Sequence, residues 1–331
     1  VTLRLPSTLT PSKVSSFKSC ALAFRFSTID RLPEPPSAAT LKGTLVHRAL
    51  ERFFWSVPAE RRDLATALEH LQGAWAETRQ GDEMRELGLS GDEQEAFVAD
   101  AGSLVRGYFE LEDPRRVQAI GIELLLEAHI GALHLRGIID RLDLDEDGEL
   151  VVTDYKTGRV PGQAYEQGSL GGLHFYAFLC QEALGRRPVR VQLLYLRDQV
   201  AIVAKPSEQS LRGLRQRAAA VWSAVERACE REDFRPHPSA LCAYCSWQTW
   251  CPAFGGDPAL AGTGRPVGAP VPVGAPVPVG APVPVGAPVP VGAPVPVGAP
   301  VPVGAPVPVG APVPVGAVPM PVPAAAPVPS W

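Results

Sequence analysis

Gly137-Ile-Ile-Asp140-Arg-Leu-Asp143 and Val151-Val-Thr-Asp154-Tyr-Lys156-Thr-Gly158 decide how this chain is read. Each is a short, partly alternating apolar run, and Asp147-Gly148, a tight-hairpin dipeptide, lies between them. The pattern predicts antiparallel strands over 133–144 and 150–155. Neighbouring strands lie about 5 Å apart, so Asp140 and Asp154 can converge on one hard cation. Lys156 follows Asp154 by two residues and points to the same face. Two carboxylates and an ammonium at one sheet edge suit metal-assisted hydrolysis of a phosphodiester. The cation lowers the pKa of a bound water and neutralises the phosphate, and the lysine positions that water. An isolated D…DxK is more often a surface hairpin with weak ion pairs. The apolar neighbours of Asp154-x-Lys156 argue against simple exposure.

The elements around this hairpin are legible from spacing. A further strand is predicted over 120–130. Upstream, a helix over 9–26 opens on Thr10-Pro11-Ser12, a cap with Pro in the first turn. Residues 38–55 form an amphipathic helix with Leu41, Leu45, Ala49, Leu50, Phe53 and Phe54 on its apolar side. Two more helices are predicted over 59–80 and 92–111. Downstream, helical spacing runs over 163–184, strands over 189–196 and 200–205, and a last helix over 207–231 behind Ser207. Helices, a three-strand meander, a helix, strands and a helix make an α/β domain with a mixed sheet covered by helices.

Composition divides the chain. Of 36 prolines in 331 residues, 22 fall from Pro266 onward, where Val-Gly-Ala-Pro-Val-Pro repeats without a charged residue. Such a repeat cannot bury a core and favours extended polyproline II. The expected organisation is a globular domain over 1–262 and a disordered, elastin-like tail over 263–331. Within the domain, residues 1–62 carry ten Lys/Arg against four acids, a basic face suited to phosphates. Residues 63–113 carry thirteen acids against three arginines and read as a solvent-facing helical insertion. The net charge of −4 hides this asymmetry. No apolar stretch approaches the ~20 residues of a membrane helix, and the N-terminus lacks the zones of an export signal. Val1 marks either an alternative start codon or a fragment edge. The expected location is the cytoplasm, where cysteines stay reduced.

Cys242-Ala-Tyr-Cys245 and Cys251 give C-x2-C-x5-C, a strong metal signal in a reducing compartment. The fourth ligand is missing locally, and Cys20 lies at the other end of the domain. Cys180 and Cys229 sit on apolar helical spacings and read as buried, inert thiols. Thiolate ligands alone do not separate Zn²⁺ from an iron–sulfur cluster.

The D…DxK hairpin, "GIIDRLD" with "VVTDYKTG", resembles the PD-(D/E)XK nuclease superfamily and, more narrowly, its RecB-type exonuclease branch. "GTLVHRALERFF", Gly43 to Phe54, resembles that branch's helix with a metal-binding histidine, which maps onto His47. Glu123, in "GIELLLEAHI", stands where the family often carries a strand glutamate, with Glu127 an equal contender. In the iron–sulfur members an N-terminal cysteine joins a C-terminal trio, so the resemblance implies a [4Fe–4S] cluster on Cys20, Cys242, Cys245 and Cys251, with Zn²⁺ the alternative. One position departs. The family usually has a Gln four residues before a Tyr on the helix after the DxK strand. Here the Tyr is Tyr176 and that position is Gly172; Gln163 and Gln167 are out of register, leaving His174 as a substitute.

The resemblance implies a restriction-endonuclease-like fold and a metal-dependent DNA exonuclease in repair or recombination. His47, Asp140 and Asp154 would bind Mg²⁺ or Mn²⁺, with Asp154 and Lys156 addressing the water. No G-x4-GK[ST] pattern is present, so a separate helicase partner is expected. The alternatives are a non-catalytic DNA-binding module held by its metal site and a zinc-stabilised scaffold that assembles through the tail.

Overall fold

Five strands form one mixed sheet in the order β1 (Gln118–Ile130), β2 (Leu133–Leu144), β3 (Leu150–Lys156), β4 (Arg190–Tyr195) and β5 (Val200–Ala204). The computed structural model describes residues 3–160 and 163–262, the side chains of 163–170 excepted. The Pro-rich tail expected from 263 lies outside the described residues. β1, β2 and β3 are an antiparallel meander, β3 and β4 run parallel, and β4 and β5 are antiparallel. A parallel pair needs a crossover, and α7 (Gln163–Leu184) supplies it. The β2–β3 turn falls at Asp147-Gly148, where Gly148 takes φ 76°.

The remaining helices are α1 (Pro11–Ser19), α2 (Ala21–Phe24), α3 (Ala38–Ser56), α4 (Leu64–Thr78), α5 (Asp82–Leu87), α6 (Gly91–Leu111) and α8 (Glu208–Arg231). Their starts follow capping chemistry. Thr10, Ser37 and Asp63 accept the Lys13, Thr40 and Thr66 backbone N–H groups, and Ser90 with Glu93 closes a capping box on α6. Two sequence expectations change. The helix over 9–26 breaks at Cys20, whose backbone is extended (φ −161°, ψ 111°), before α2 and a π-helical turn over Arg25–Ile29. The stretch 59–80 becomes a 3₁₀ turn and α4, because Asp63 caps a new helix.

Each sheet face has its own core. α7 and α8 cover one face, burying Leu135, Ile139, Val152, Phe178, Val191 and Leu214. α3, α4 and α6 cover the other around Leu45, Phe53, Leu71, Leu104, Tyr108 and Leu194. The acidic segment 63–113 thus keeps most of its charges outward, Glu112 excepted, while its apolar side builds half of the core. A third cluster joins the two ends of the domain: Leu22, Phe24 and Phe26 pack with Val225, Phe234 and Trp247. Among the described residues no helix is long and apolar enough to cross a membrane.

Candidate active site

Side chains on a regular strand alternate between faces. On β1, Ile122 packs in the α3–α6 core while Leu124, two residues on, packs against the α7–α8 core. On β2, odd-numbered Leu135 and Ile139 share the α7–α8 core with even-numbered Leu142. Alternation breaks on both strands at the same rung. The ladder pairs Ile122 with Arg141 and Leu124 with Ile139, and Glu123 and Asp140 lie between these pairs. The break has a backbone cause: Glu123 adopts φ 46°, a left-handed conformation inside a strand. Such a conformation costs on the order of 1–3 kcal/mol at a non-glycine residue and concentrates at functional sites.

At this rung Glu123 and Asp140 meet His47 of α3. One ligand atom from each lies within 4.8 Å of the other two. The Tyr155 backbone braces the group from below. Its N–H donates to Asp140 Oδ2 (2.7 Å), and its carbonyl lies 3.1 Å from His47 Nε2. A carbonyl only accepts, so Nε2 carries a proton and Nδ1, 3.5 Å from Asp140 Oδ1, faces the carboxylates. Gly43 lets α3 approach this closely: a Cβ there would lie 3.2 Å from Thr157 Oγ1.

The electrostatics report crowded negative charge. Burial, then Asp140, pushes the Glu123 carboxyl up to about 7. Burial opposes a charge on His47, but the Asp140 hydrogen bond and the charges of Asp140 and Asp154 together outweigh it and raise the imidazole pKa. One imidazole and two carboxylates are a hard donor set that fits Mg²⁺ or Mn²⁺.

Asp154 and Lys156 stand beside this group as an ion pair. Asp154 is 3% exposed. Burial raises its pKa against the pull of Lys156, and Asp140 adds to the rise. Lys156 is desolvated too, yet Asp154 holds its ammonium above the ordinary value. Tyr176 of α7 also hydrogen-bonds Asp154, and burial raises its phenol pKa. Gly137 makes room for that helix: a Cβ there would sit 2.7 Å from Leu179 Cδ1 and 3.3 Å from Tyr176 Cε1.

The expected residues His47, Asp140, Asp154, Lys156 and Tyr176 therefore gather in one place. Of the two glutamates it is Glu123 that joins them. Glu127 faces His134 (3.5 Å) and Arg136 (3.8 Å) two rungs away. The tight ligand group holds Glu123 where the sequence placed Asp154. Around Gly172 there is open space, and His174 lies beside Arg217 of α8, so it does not replace the missing Gln. Gln163 and Gln167 lie outside the described side chains.

Replacing Glu123 by glycine tests the strain directly. Glycine accepts φ 46° freely, and the change also removes a crowded carboxylate. In EDTA the variant is expected to gain about 1 kcal/mol, or roughly 2–4 °C in melting temperature. It should also lose most of the stabilisation that Mn²⁺ gives the parent protein. A lower melting temperature in EDTA would refute strain at this residue.

At the far end of the domain, Cys20, Cys242, Cys245 and Cys251 line one apolar cavity with Phe26 and Trp247. The His237 N–H donates to Cys20 Sγ (3.4 Å) and the Ser239 N–H to Cys242 Sγ (3.3 Å). Burial raises the Cys245 thiol, the Trp247 N–H eases it, and the other three sulfurs raise it further. Cys180, pushed up to about 12, and Cys229 are raised by burial and sit in apolar cores.

Sequence reasoning missed Arg141. It is 1% exposed and lies on the α3–α6 side of the sheet. It pairs with Asp143 (2.7 Å) and Glu112 (2.5 Å), donates to Tyr155 Oη (2.8 Å) and lies 4.5 Å from the centre of the Phe54 ring. Its place in an apolar strand run, with Ile139 and Leu142 close by, was the available signal.

The PD-(D/E)XK nuclease superfamily profile matches residues 8–252, and the chain belongs to that superfamily. It is similar to the Gene 69 protein of Mycobacterium phage L5, at 25% identity over 290 residues, 73% of this chain and 95% of the phage protein. The Gene 69 protein of Mycobacterium phage D29 is 23% identical over 268 residues, 73% and 96% of the two chains. Among solved structures, it is similar to a candidate exonuclease from Eubacterium rectale (TM-score 0.43, 9% identity), covering 72% of this chain and 87% of that one.

Proposed function

We propose that this chain is a metal-dependent DNA exonuclease of the RecB-type, iron–sulfur branch, acting in DNA repair or recombination. The observation that carries the reading is His47, Glu123 and Asp140 within 4.8 Å of one another, beside the Asp154–Lys156 pair. His47, Glu123 and Asp140 would hold Mg²⁺ or Mn²⁺, with Asp154 at the rim. A divalent ion there lowers the pKa of a bound water and neutralises phosphate charge. Lys156 orients the attacking water and holds positive charge near the pentavalent phosphate. Asp154 keeps Lys156 charged, and Tyr176 fixes Asp154. EDTA-sensitive degradation of single- or double-stranded DNA, restored by Mg²⁺ or Mn²⁺, tests the reading. Protein that cuts neither under any of these conditions would favour a DNA-binding module, which the open space at Gly172 supports.

The four thiols are proposed to hold a [4Fe–4S] cluster, with Zn²⁺ the alternative. The cluster's role is structural: it ties Cys20 to the C-terminal trio and closes the domain. Anaerobically purified protein is expected to be brown, with four irons and four sulfides per chain, and Cys245→Ala to be colourless and less stable. A colourless parent with one zinc per chain would overturn the cluster. A separate helicase is the proposed partner, and its absence from co-purified complexes would count against it. The domain is proposed to end near residue 262, with the Pro-rich repeat as an appended linker.

A further inference from the structure

The cysteine cavity is lined by apolar side chains, Leu22, Ala23, Phe26 and Phe254 among them, and by four sulfurs. Short turns present three of those sulfurs. Cys245 closes the 3₁₀ turn 240–244, its N–H on the Cys242 carbonyl (3.1 Å), and Cys251 closes the turn 248–250, its N–H on the Gln248 carbonyl (2.9 Å). Backbone donors already serve three sulfurs: the His237 N–H faces Cys20, the Ser239 N–H Cys242 and the Trp247 N–H Cys245.

The polar side chains of the wall are also engaged, with one exception. His237 Nδ1 lies 3.0 Å from the Ser19 carbonyl and therefore carries the proton. The Gln248 amide nitrogen donates to the Cys242 carbonyl. Trp247 is the exception. It is 7% exposed and its ring packs 6.1 Å from that of Phe26. Its Nε1–H is buried and has no acceptor among the described residues. An indole nitrogen only donates, and a buried one normally finds a partner. An orphaned buried donor is costly, and phenylalanine would fill much of the same space without that cost.

We infer that the Trp247 indole N–H donates a hydrogen bond to a sulfur of the centre held by Cys20, Cys242, Cys245 and Cys251, touching that centre without ligating it. The inference rests on the cluster reading and deepens it by naming a residue that tunes the cluster. Anionic sulfur is the acceptor that this wall of alkyl and aromatic groups otherwise lacks. In so apolar a cavity an N–H···S bond is stronger than in water. Donors to cluster sulfurs draw off negative charge and favour the reduced form, so they help to set the reduction potential. The same indole packs on Phe26, so one side chain serves both the cluster and the closure of the domain.

Redox titration of the anaerobically purified full chain with dithionite, followed by visible absorption and EPR, tests the donor. Trp247→Phe removes the N–H and keeps an aromatic ring. Replacing Trp247 by its sulfur isostere benzothienylalanine removes the N–H and keeps the whole shape. Both are expected to carry the parent's iron and sulfide and to take up the electron at a more negative potential. The reduced-to-oxidised ratio at fixed potential should fall roughly fivefold, about 40 mV for a one-electron couple. Pulsed EPR of the reduced parent, labelled with nitrogen-15 in its indoles, should show an exchangeable proton coupled to the cluster, and both variants should lose it. Trp250→Phe is the control: Trp250 lies 6.2 Å from the Phe26 ring yet does not line the cavity, so potential and coupling should stay at the parent values. If Trp247→Phe emerges without a cluster, the isostere decides: loaded and shifted supports the donor, loaded and unshifted overturns it. A brown parent without the proton coupling overturns the donor whatever the variants do, and leaves the cluster reading standing. A colourless parent with one zinc per chain overturns the cluster reading and this inference with it.

Discussion

Lys156→Ala is expected to lower DNA cleavage by roughly 10²–10⁴-fold while the protein stays folded. The side chain is 41% exposed and its partner carboxylate 4%, so removing it opens no sealed cavity. What it leaves is Asp154, buried and without its cation. Burial and Asp140 already raise that carboxyl, and losing Lys156 raises it further. Two contributions change together: the ammonium that orients water is lost, and the charged form of Asp154 is disfavoured. Asp154→Asn separates them, because it keeps the shape and leaves Lys156 in place; if the ammonium dominates, Asp154→Asn retains more activity than Lys156→Ala. The control is distance: the four cysteines line a cavity at the other end of the domain, so the visible spectrum of the proposed cluster should not change in either variant. A Lys156→Ala protein that degrades DNA at the parent rate would overturn the mechanism.

The elements that sequence spacing located well share a physical trait: their signal is local. The hairpin 133–144/150–156 is fixed by an Asp-Gly turn between apolar runs, and α8 by Ser207 before an amphipathic face. Features that depend on long-range context were not legible. Cys20 lies in helical sequence, but its thiol is directed toward residues more than two hundred positions away, and the helix breaks there. Glu123 sits in an apolar strand where the residue suited to a left-handed backbone is Gly121, two positions earlier, yet it is Glu123 that takes it. Only its neighbours' opposite faces reveal the inversion. For the same reason Glu123 and Glu127, equal in sequence, separate in space: the inversion turns one of them to His47. The resemblance supplied the roles of His47 and the cysteines, which spacing alone left open.

The largest expected change in stability belongs to Arg141. In sequence it is one charge beside Asp140; in the fold it is a buried cation that links α6, β2 and β3 through Glu112, Asp143 and Thr153. Asp143 in turn accepts from Thr153 Oγ1 (3.1 Å), and Gln192 of β4 reaches the same hydroxyl (3.0 Å), so four elements share the network. Desolvating a guanidinium is costly, and the paired carboxylates offset that cost only as a set. Arg141→Ala strands Glu112 and Asp143 and is expected to cost about 3–5 kcal/mol, roughly 10 °C in melting temperature for a domain of this size. Arg141→Lys should recover only part, since one ammonium cannot reproduce the fork that serves Asp143, Tyr155 and Thr153. Adding Glu112→Gln and Asp143→Asn to Arg141→Met should restore most of the loss, because neutral partners strand no charge. The active site registers the same change. Tyr155, whose hydroxyl Arg141 holds, also offers its backbone N–H to Asp140 and its carbonyl to His47. Arg141→Lys is therefore expected to weaken Mn²⁺ stabilisation and raise the metal concentration needed for cleavage, with the rate at saturating metal changed less. A melting temperature within about 2 °C of the parent for Arg141→Ala would show that the network is dispensable.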